Sequence, residues 1–337
     1  MRYDQSYRSL WRVFRVNRDT WADAELIEDV DSIEITKTAD GAVMESGTME
    51  ISGTLEEDYY RIVMTAEQGM AAERVEVATL LFSQSDGTYD YNSETQQLEG
   101  HSVLYPASVT VILEGEYAPA GVDGARYAGD LLQSVINAPV EVEGSFILNE
   151  HVVHEIGSST LDAVWNVLTA GGFVMQIDGR GVVHIMPKPM EPSFVLDSTE
   201  LRILNPGIDY TTDRSDIPNR YIVLDETSKT VAVNNSELSE ISTVSRGYTV
   251  DMVDESPTPV NGETMSAYAV RRLHEESFEK IESTYSREYV GGVYVHSIVR
   301  ASINSLEGDL RVKTQNISCK NGIKVTEEVV KEVDLWT

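Results

Sequence analysis

"TLDAVWNVLTAGGFVMQIDGRGVVHIMPKP" (160–189) is the stretch of this 337-residue chain from which the fold is read. Leu161, Val164, Trp165 and Leu168 recur at helical spacing and line one face. Ser159, followed three residues later by Asp162, predicts a capping box that starts the helix, with Asp in place of the commoner Glu. Gly171 and Gly172 supply the positive-φ stop. "FVMQI" (173–177) then alternates as a strand, Asp178-Gly179 reverses the chain, and "VVHIM" (182–186) returns beside it. The unit holds no nucleophile beside a base, no ligand cluster and no phosphate loop. Its regularity asks for a mechanical explanation.

Working outward, "ARYAGDLLQSVINAP" (125–139) carries Leu131, Leu132, Val135 and Ile136 at helical spacing, and Pro139 stops it. The stripe 161, 164, 165, 168 is expected to pack on residues 131–136 and on Phe173, Met175 and Ile177. If Trp165 is core, Trp165→Ala costs about 3–5 kcal/mol. Upstream the period becomes two, as in half-buried antiparallel strands. "SIEIT" (32–36) aligns Ile33 and Ile35, "GTMEISG" (47–53) aligns Met49 and Ile51, and "YYRIVMT" (59–65) aligns Tyr60, Ile62 and Met64. "RVEVATLLF" (74–82) groups Val75, Val77 and Leu81, and "SVTVILEGE" (108–116) groups Val109, Val111 and Leu113. "QSDGTYDYNSETQQ" (84–97) reads as a long polar loop.

Downstream, "MPKPMEP" (186–192) marks an exit from the helix-hairpin unit, and "NRYIVLDETSKTVAVNN" (219–235) reads as a hairpin. "NGETMSAYAVRRLHEESFEKIES" (261–283) is the longest helix candidate, with a stripe of Met265, Tyr268, Ala269 and Leu273. "VYVHSIVRA" (293–301) and "DLRVKTQNISCKNGIKVTEEV" (309–329) read as strands, the second a hairpin through Asn321-Gly322. The fold class is α+β and β-rich. A first β-domain is expected over 1–120, an inserted helix-helix-hairpin subdomain over 121–190, and a second β-domain over 191–337.

Composition narrows the function. Hydrophobic residues make up 41% and aromatics 8%, a folding composition. Acidic residues outnumber basic ones 56 to 26, for a net charge of -30, so specific binding of nucleic acid is not expected. One cysteine, Cys319, excludes an internal disulfide framework, and its strand position suggests a buried, inert thiol. No stretch resembles a signal peptide or a membrane span, so a soluble chain made without a secretory signal is expected.

No active site is nominated. "HVVHE" (151–155) is the only histidine cluster; it is not HExxH, and His151 and His154 would face opposite sides of a strand. His184 is expected to face solvent. Paired carboxylates carry no information among 56 acids, GxSxG is absent, and "VDGARYAGD" lacks GxGxxG spacing. Neither a catalytic residue, a metal ligand nor a cofactor is assigned. One charge asymmetry stands out. Residues 1–20 hold five arginines against two acids, and residues 21–60 hold twelve acids against one lysine. Trp11, Arg12 and Arg15 are therefore a candidate inter-subunit arm for a neighbour's acidic face; the alternative is that the segment folds back on its own chain. Either way Trp11 and Trp21 should be buried.

The opening stretch, "YYRIVMTAEQGMAAERVEVATLLFSQ" (59–84) and "EGHSVLYPASVTVILEGEYAPAGVD" (99–123) together resemble the hub proteins of phage tails and related particles: baseplate hubs, late-control D-like tail proteins and tail tip hubs of non-contractile tails. The resemblance spans residues 45–225, and thins to "NRYIVL", the long helix and the closing hairpin beyond. It implies a homotrimer with two similar tube-type β-domains per chain. Three chains would form a pseudo-sixfold ring between the hexameric tail tube and a trimeric spike or tip. Tube, tip or spike, and distal tail or baseplate proteins would be its partners in the virion tail. DNA would slide without specific binding through a lumen that an acidic surface keeps unsticky. The helix-hairpin core (Leu161, Val164, Trp165, Leu168, Phe173, Ile177) would brace that ring. The rival reading is a tail-associated cell-wall hydrolase or peptidase, against which the chain's end at "KEVDLWT", soon after the last hairpin, leaves little room for another module. A secreted acidic binding module is the third.

Overall fold

The computed structural model describes residues 7–39, 41, 43–90, 93–197, 203–205, 214–225, 228–303 and 306–336. The amino-terminal half runs through β1 (Arg8–Val16), β2 (Asp23–Ile27), β3 (Val30–Thr38), β4 (Glu45–Ser52), β5 (Asp58–Gln68), β6 (Ala71–Asp90) and β7 (Ser93–His101). Next come α1 (Tyr105–Val109), β8 (Tyr117–Ala118), α2 (Gly124–Gln133), β9 (Val140–Val142), β10 (Val152–Val153), α3 (Thr160–Gly171), β11 (Phe173–Ile177) and β12 (Val183–Pro187). The carboxy-terminal half begins with β13 (Pro192–Asp197), β14 (Ile203–Asn205), β15 (Arg220–Asp225), β16 (Ser228–Val233), α4 (Thr243–Arg246) and β17 (Asp251–Asp254). It closes with α5 (Met265–Glu275), β18 (Phe278–Glu288), β19 (Ile298–Ile303), β20 (Leu306–Cys319) and β21 (Ile323–Asp334).

One sheet passes through both halves in the order β14-β18-β21-β20-β3-β4-β7-β6-β5-β1-β2, with β19 and β13 branching from β20. Period-two burial drives it. In β3, Ile33 and Ile35 are enclosed while Glu34 and Thr36 face solvent. The halves meet where β3 pairs antiparallel with β20, placing Ile33 opposite Cys319 and Ile35 opposite Ile317. All four side chains are buried in one core with Met49, Ile62 and Val325. Each such aliphatic side chain stabilises the join by about 1.5–3 kcal/mol.

Helices α2 and α3 pack together over the β11–β12 hairpin, which β9 extends in parallel. Leu132, Ile136, Leu161, Val164, Leu168, Phe173, Met175 and Ile177 share one buried cluster, the packing that the sequence implies. That cluster reaches back to Val103 and Leu104 and takes in Trp21 and Tyr59 of the amino-terminal half. A third unit is the small sheet β16-β15-β17, where Tyr221, Val223 and Ala232 lie beneath Tyr268, Ala269 and Leu273 of α5.

Several segments depart from expectation. Of the 84–97 stretch, residues 84–90 and 93–97 are strand, the paired ends of β6 and β7, because ladder hydrogen bonds are made by the main chain and need no apolar alternation; residues 91 and 92 lie outside the described residues. A bulge in the β5–β6 pairing reverses side-chain parity, so Leu80, not Leu81, joins Val75 and Val77 in the core. The 108–116 stretch is no strand: Pro106 starts the short helix α1, and Val109, Val111 and Leu113 are left exposed. The 125–139 helix ends at Gln133. The 261–283 helix ends at Glu275, where β18 soon takes over, so the 12-residue α3 exceeds the 11-residue α5. In 293–301 only Ile298 onward is strand.

Candidate functional site

The feature that links the parts of the molecule is the hairpin that opened the sequence reading. Its helix forms as expected: the Ser159 hydroxyl accepts the Asp162 N–H at 3.0 Å, the reciprocal bond completes the capping box, and Gly172 closes the helix at φ 69°. Trp165 departs from expectation. It sits half-exposed at the edge of the cluster, and Val167 and Ala163 occupy the inner face beside Leu161, Val164 and Leu168. A stripe drawn at 161, 164, 165 and 168 is offset from the face that packs, because β11 and α2 flank the helix unequally.

The reversal is a loop over Asp178–Val182. Asp178 Oδ1 accepts the Val182 N–H at 2.9 Å, and Gly181, at φ 77°, takes the left-handed position. Gly179 serves another purpose. A Cβ there would lie 1.9 Å from the Glu76 carbonyl oxygen, so only glycine lets the tip lie against β6. Three donors then clasp the tip. Thr79 Oγ1 donates to the Gly179 carbonyl at 3.1 Å, Trp21 Nε1 to the Arg180 carbonyl at 2.8 Å, and Arg61 Nη2 to that same carbonyl at 3.0 Å. Arg61 also donates to Thr79 Oγ1 at 3.1 Å and to Asp23 at 2.7 Å. Burial pulls its guanidinium down in pKa, against the pull of Asp23. The stem of the same hairpin reaches the carboxy-terminal half, where Gln176 Nε2 donates to the Val295 carbonyl at 2.8 Å. One hairpin thus touches both β halves.

His184 is not solvent-facing as expected. It is half-buried, with Nε2 3.6 Å from Asp178 and Nδ1 3.4 Å from Glu141 and 3.8 Å from Glu143. Its contact with Asp178 raises the imidazole pKa, against burial. Burial opposes ionisation of Asp178, but His184 and the Val182 N–H hold its carboxyl below the usual range. Beneath lies a buried ion pair, Lys37 Nζ to Glu45 at 2.7 Å. Burial pushes the Glu45 carboxyl up despite Lys37, and nearby Asp178 adds to the rise.

From Arg8 onward the basic amino-terminal segment lies on its own chain. It is β1, paired with β5 and β2. Trp11 packs half-buried on the core, Arg15 pairs with Glu25 at 2.9 Å, and Arg12 is exposed. Trp21 is 7% exposed. His154 is buried against Tyr127 while His151 faces outward, so the two do point to opposite sides. Cys319 is buried, and burial pushes its thiol up to about 12.

A cleft between the end of α3 and the small sheet contains Asp254, Arg271 and Arg272. Asp254 accepts from the hydroxyls of Tyr221 at 3.0 Å and Tyr268 at 2.6 Å. Arg271 is held by Glu263 and Glu275, and Arg272 by Glu275 and Tyr221. Among the described residues no group of three His, Cys, Asp or Glu could hold a metal ion, and no helix is long and apolar enough to cross a membrane. Sequence reading missed Arg61, Thr79 and Gln176. The one available signal was a lone arginine inside the otherwise apolar run "YYRIVM".

No family model matches the chain, and no curated protein matches it in sequence. Solved structures do match in fold. The tail protein from Neisseria meningitidis superposes with a TM-score of 0.66 at 13% identity, over 97% of this chain and 98% of that one. The 43 kDa tail protein of prophage MuSo2 from Shewanella oneidensis gives 0.63 at 12%, over 95% and 98%. The E. coli c3393 protein, a component of the type VI secretion system, gives 0.51 at 8%, over 89% and 73%. The chain has the fold of phage tail proteins, as the resemblance in its sequence implies.

Proposed function

We propose that this protein is a structural tail hub of a phage or phage-like particle, non-enzymatic, joining the hexameric tail tube to a trimeric tip or spike. The observation that carries the reading is end-to-end likeness in fold: two tail proteins match over 95% or more of both chains. A shared fold does not by itself transfer a role, so the reading also leans on local physics. The β3–β20 pairing and the docked hairpin make a stiff body from two β halves, as a load-transmitting adaptor requires. We take these halves, 1–120 and 191–337, as the two tube-type repeats of a pseudo-sixfold homotrimeric ring, with 121–190 as the brace. Exposed Arg12 and half-buried Trp11, with Arg15, would lie toward the neighbouring subunit. A net charge of -30 suits a lumen through which DNA passes without binding.

The test is sedimentation velocity at tens of micromolar, because a ring of modest affinity dissociates when dilute. A species near three times the 37.4 kDa chain mass, with three-fold ring averages by electron microscopy, is expected. A monomer at every concentration, or clearing of peptidoglycan in a zymogram by purified protein, refutes the hub and favours the hydrolase.

A further inference from the structure

Large apolar side chains are exposed beside the helix-hairpin unit. Leu113 is 80% exposed, Ile156 70%, Val153 69% and Tyr117 50%. They belong to one ribbon. Val111 bridges Ser159, the Ile112 N–H donates to the Ser158 carbonyl at 2.9 Å, the Gly157 N–H returns to the Ile112 carbonyl at 2.9 Å, and Tyr117 pairs with Val153. Large apolar side chains gathered on one ribbon and rimmed by polar groups mark a docking site, as scattered ones do not.

The rim here has one sign. Glu114, Glu116 and Glu155 lie on the same ribbon and are exposed. From Ser102 to Gly179 the sequence carries ten carboxylates (114, 116, 123, 130, 141, 143, 150, 155, 162, 178) and a single cation, Arg126. We infer that this ribbon docks a different protein, through a segment that is apolar and flanked by lysine or arginine. Apolar contact supplies the driving force, and opposite charge supplies selectivity. A second copy docking ribbon to ribbon about a two-fold axis would set these glutamates against one another. An anionic lipid surface or nucleic acid would be repelled by them. The inference does not depend on the trimeric hub reading, since any assembly containing this chain would need the ribbon covered.

The test titrates the full chain with fluorescein-labelled peptides and reads anisotropy. A cationic amphipathic peptide of lysine and leucine is the probe; a lysine-serine peptide of equal charge and a glutamate-leucine peptide are controls. The probe is expected to bind at least tenfold more tightly than either control. Leu113→Ser/Ile156→Ser and Glu114→Lys/Glu116→Lys should each weaken it tenfold or more. Val231→Ser/Val233→Ser, which removes exposed valines elsewhere, should leave it unchanged. All these side chains are exposed, so the variants should fold, and their melting curves check it. Equal binding of the lysine-serine peptide would show charge attraction alone and overturn the inference, as would indifference to Leu113→Ser/Ile156→Ser. If that double variant instead converts a wild-type oligomer into monomers, the ribbon covers a second copy, and the inference is likewise overturned.

Discussion

Replacing Gly179 by alanine places a Cβ 1.9 Å from the Glu76 carbonyl oxygen and 2.3 Å from its carbon. Glu76 is main chain of β6, hydrogen-bonded to β5, so it cannot yield without disturbing the sheet. Ordinary contact distance requires the hairpin tip to retreat by about 1.5 Å. That retreat breaks three bonds together: Thr79 to the Gly179 carbonyl at 3.1 Å, and Trp21 and Arg61 to the Arg180 carbonyl at 2.8 and 3.0 Å. Two neutral bonds at about 1 kcal/mol each and one from a guanidinium at about 1.5–3 kcal/mol give a loss of about 3.5–5 kcal/mol. Gly115→Ala is the control, because a Cβ there meets nothing within 4 Å and should change stability by less than about 0.5 kcal/mol. Urea unfolding followed by tryptophan fluorescence measures the loss, and amide hydrogen exchange over 178–182 localises it. If Gly179→Ala unfolds and exchanges like the Gly115→Ala control, the tip does not dock on β6 and the brace argument fails.

Two further outcomes follow from the same region. Leu168 is fully buried, so Leu168→Ala should destabilise by about 2–5 kcal/mol, whereas half-exposed Trp165→Ala should cost clearly less, about 1–2 kcal/mol; thermal denaturation of both variants ranks them. His184 has a folded pKa above its ordinary 6.5, so its contribution is complete below pH 6.5 and fades as pH rises through the raised value. Asp178, held below 3.8, contributes above that pH and loses its share as pH falls through the lowered value. His184→Ala should therefore abolish the alkaline loss of stability in a melting series. His154, whose pKa burial lowers, imposes a loss of opposite sense as pH falls below 6.5 and should be unaffected by that variant.

How much was legible depended on the range of the interactions. The helix at 160–171, its capping box, its glycine stop and the hairpin after it follow from contacts within a few residues, and local chemistry writes them plainly. The same holds for Ile33 and Ile35, and for the Asn321-Gly322 reversal between β20 and β21, where Gly322 sits at φ 95°. Reading failed where a local pattern had two solutions. Val109, Val111 and Leu113 alternate like a strand, yet Pro106 starts a helix and the ribbon after it is left open. Leu81 changed sides because one bulged residue inverts every position beyond it, and nothing in the sequence announces a bulge.

By itself, then, the sequence determined the class of the protein. Its β-rich alternation, its single helix-hairpin unit and its acidity follow from side chains and short-range periodicity, which need no knowledge of distant partners. Only the tertiary structure decided that the two β halves share a sheet through β3 and β20. It alone brought the hairpin tip to Arg61, Thr79 and Trp21, and it left one apolar ribbon uncovered. Those pairings join residues far apart in the chain, and a hydrogen bond to a backbone carbonyl can come from any donor the fold delivers, so no residue type along the sequence records its partner.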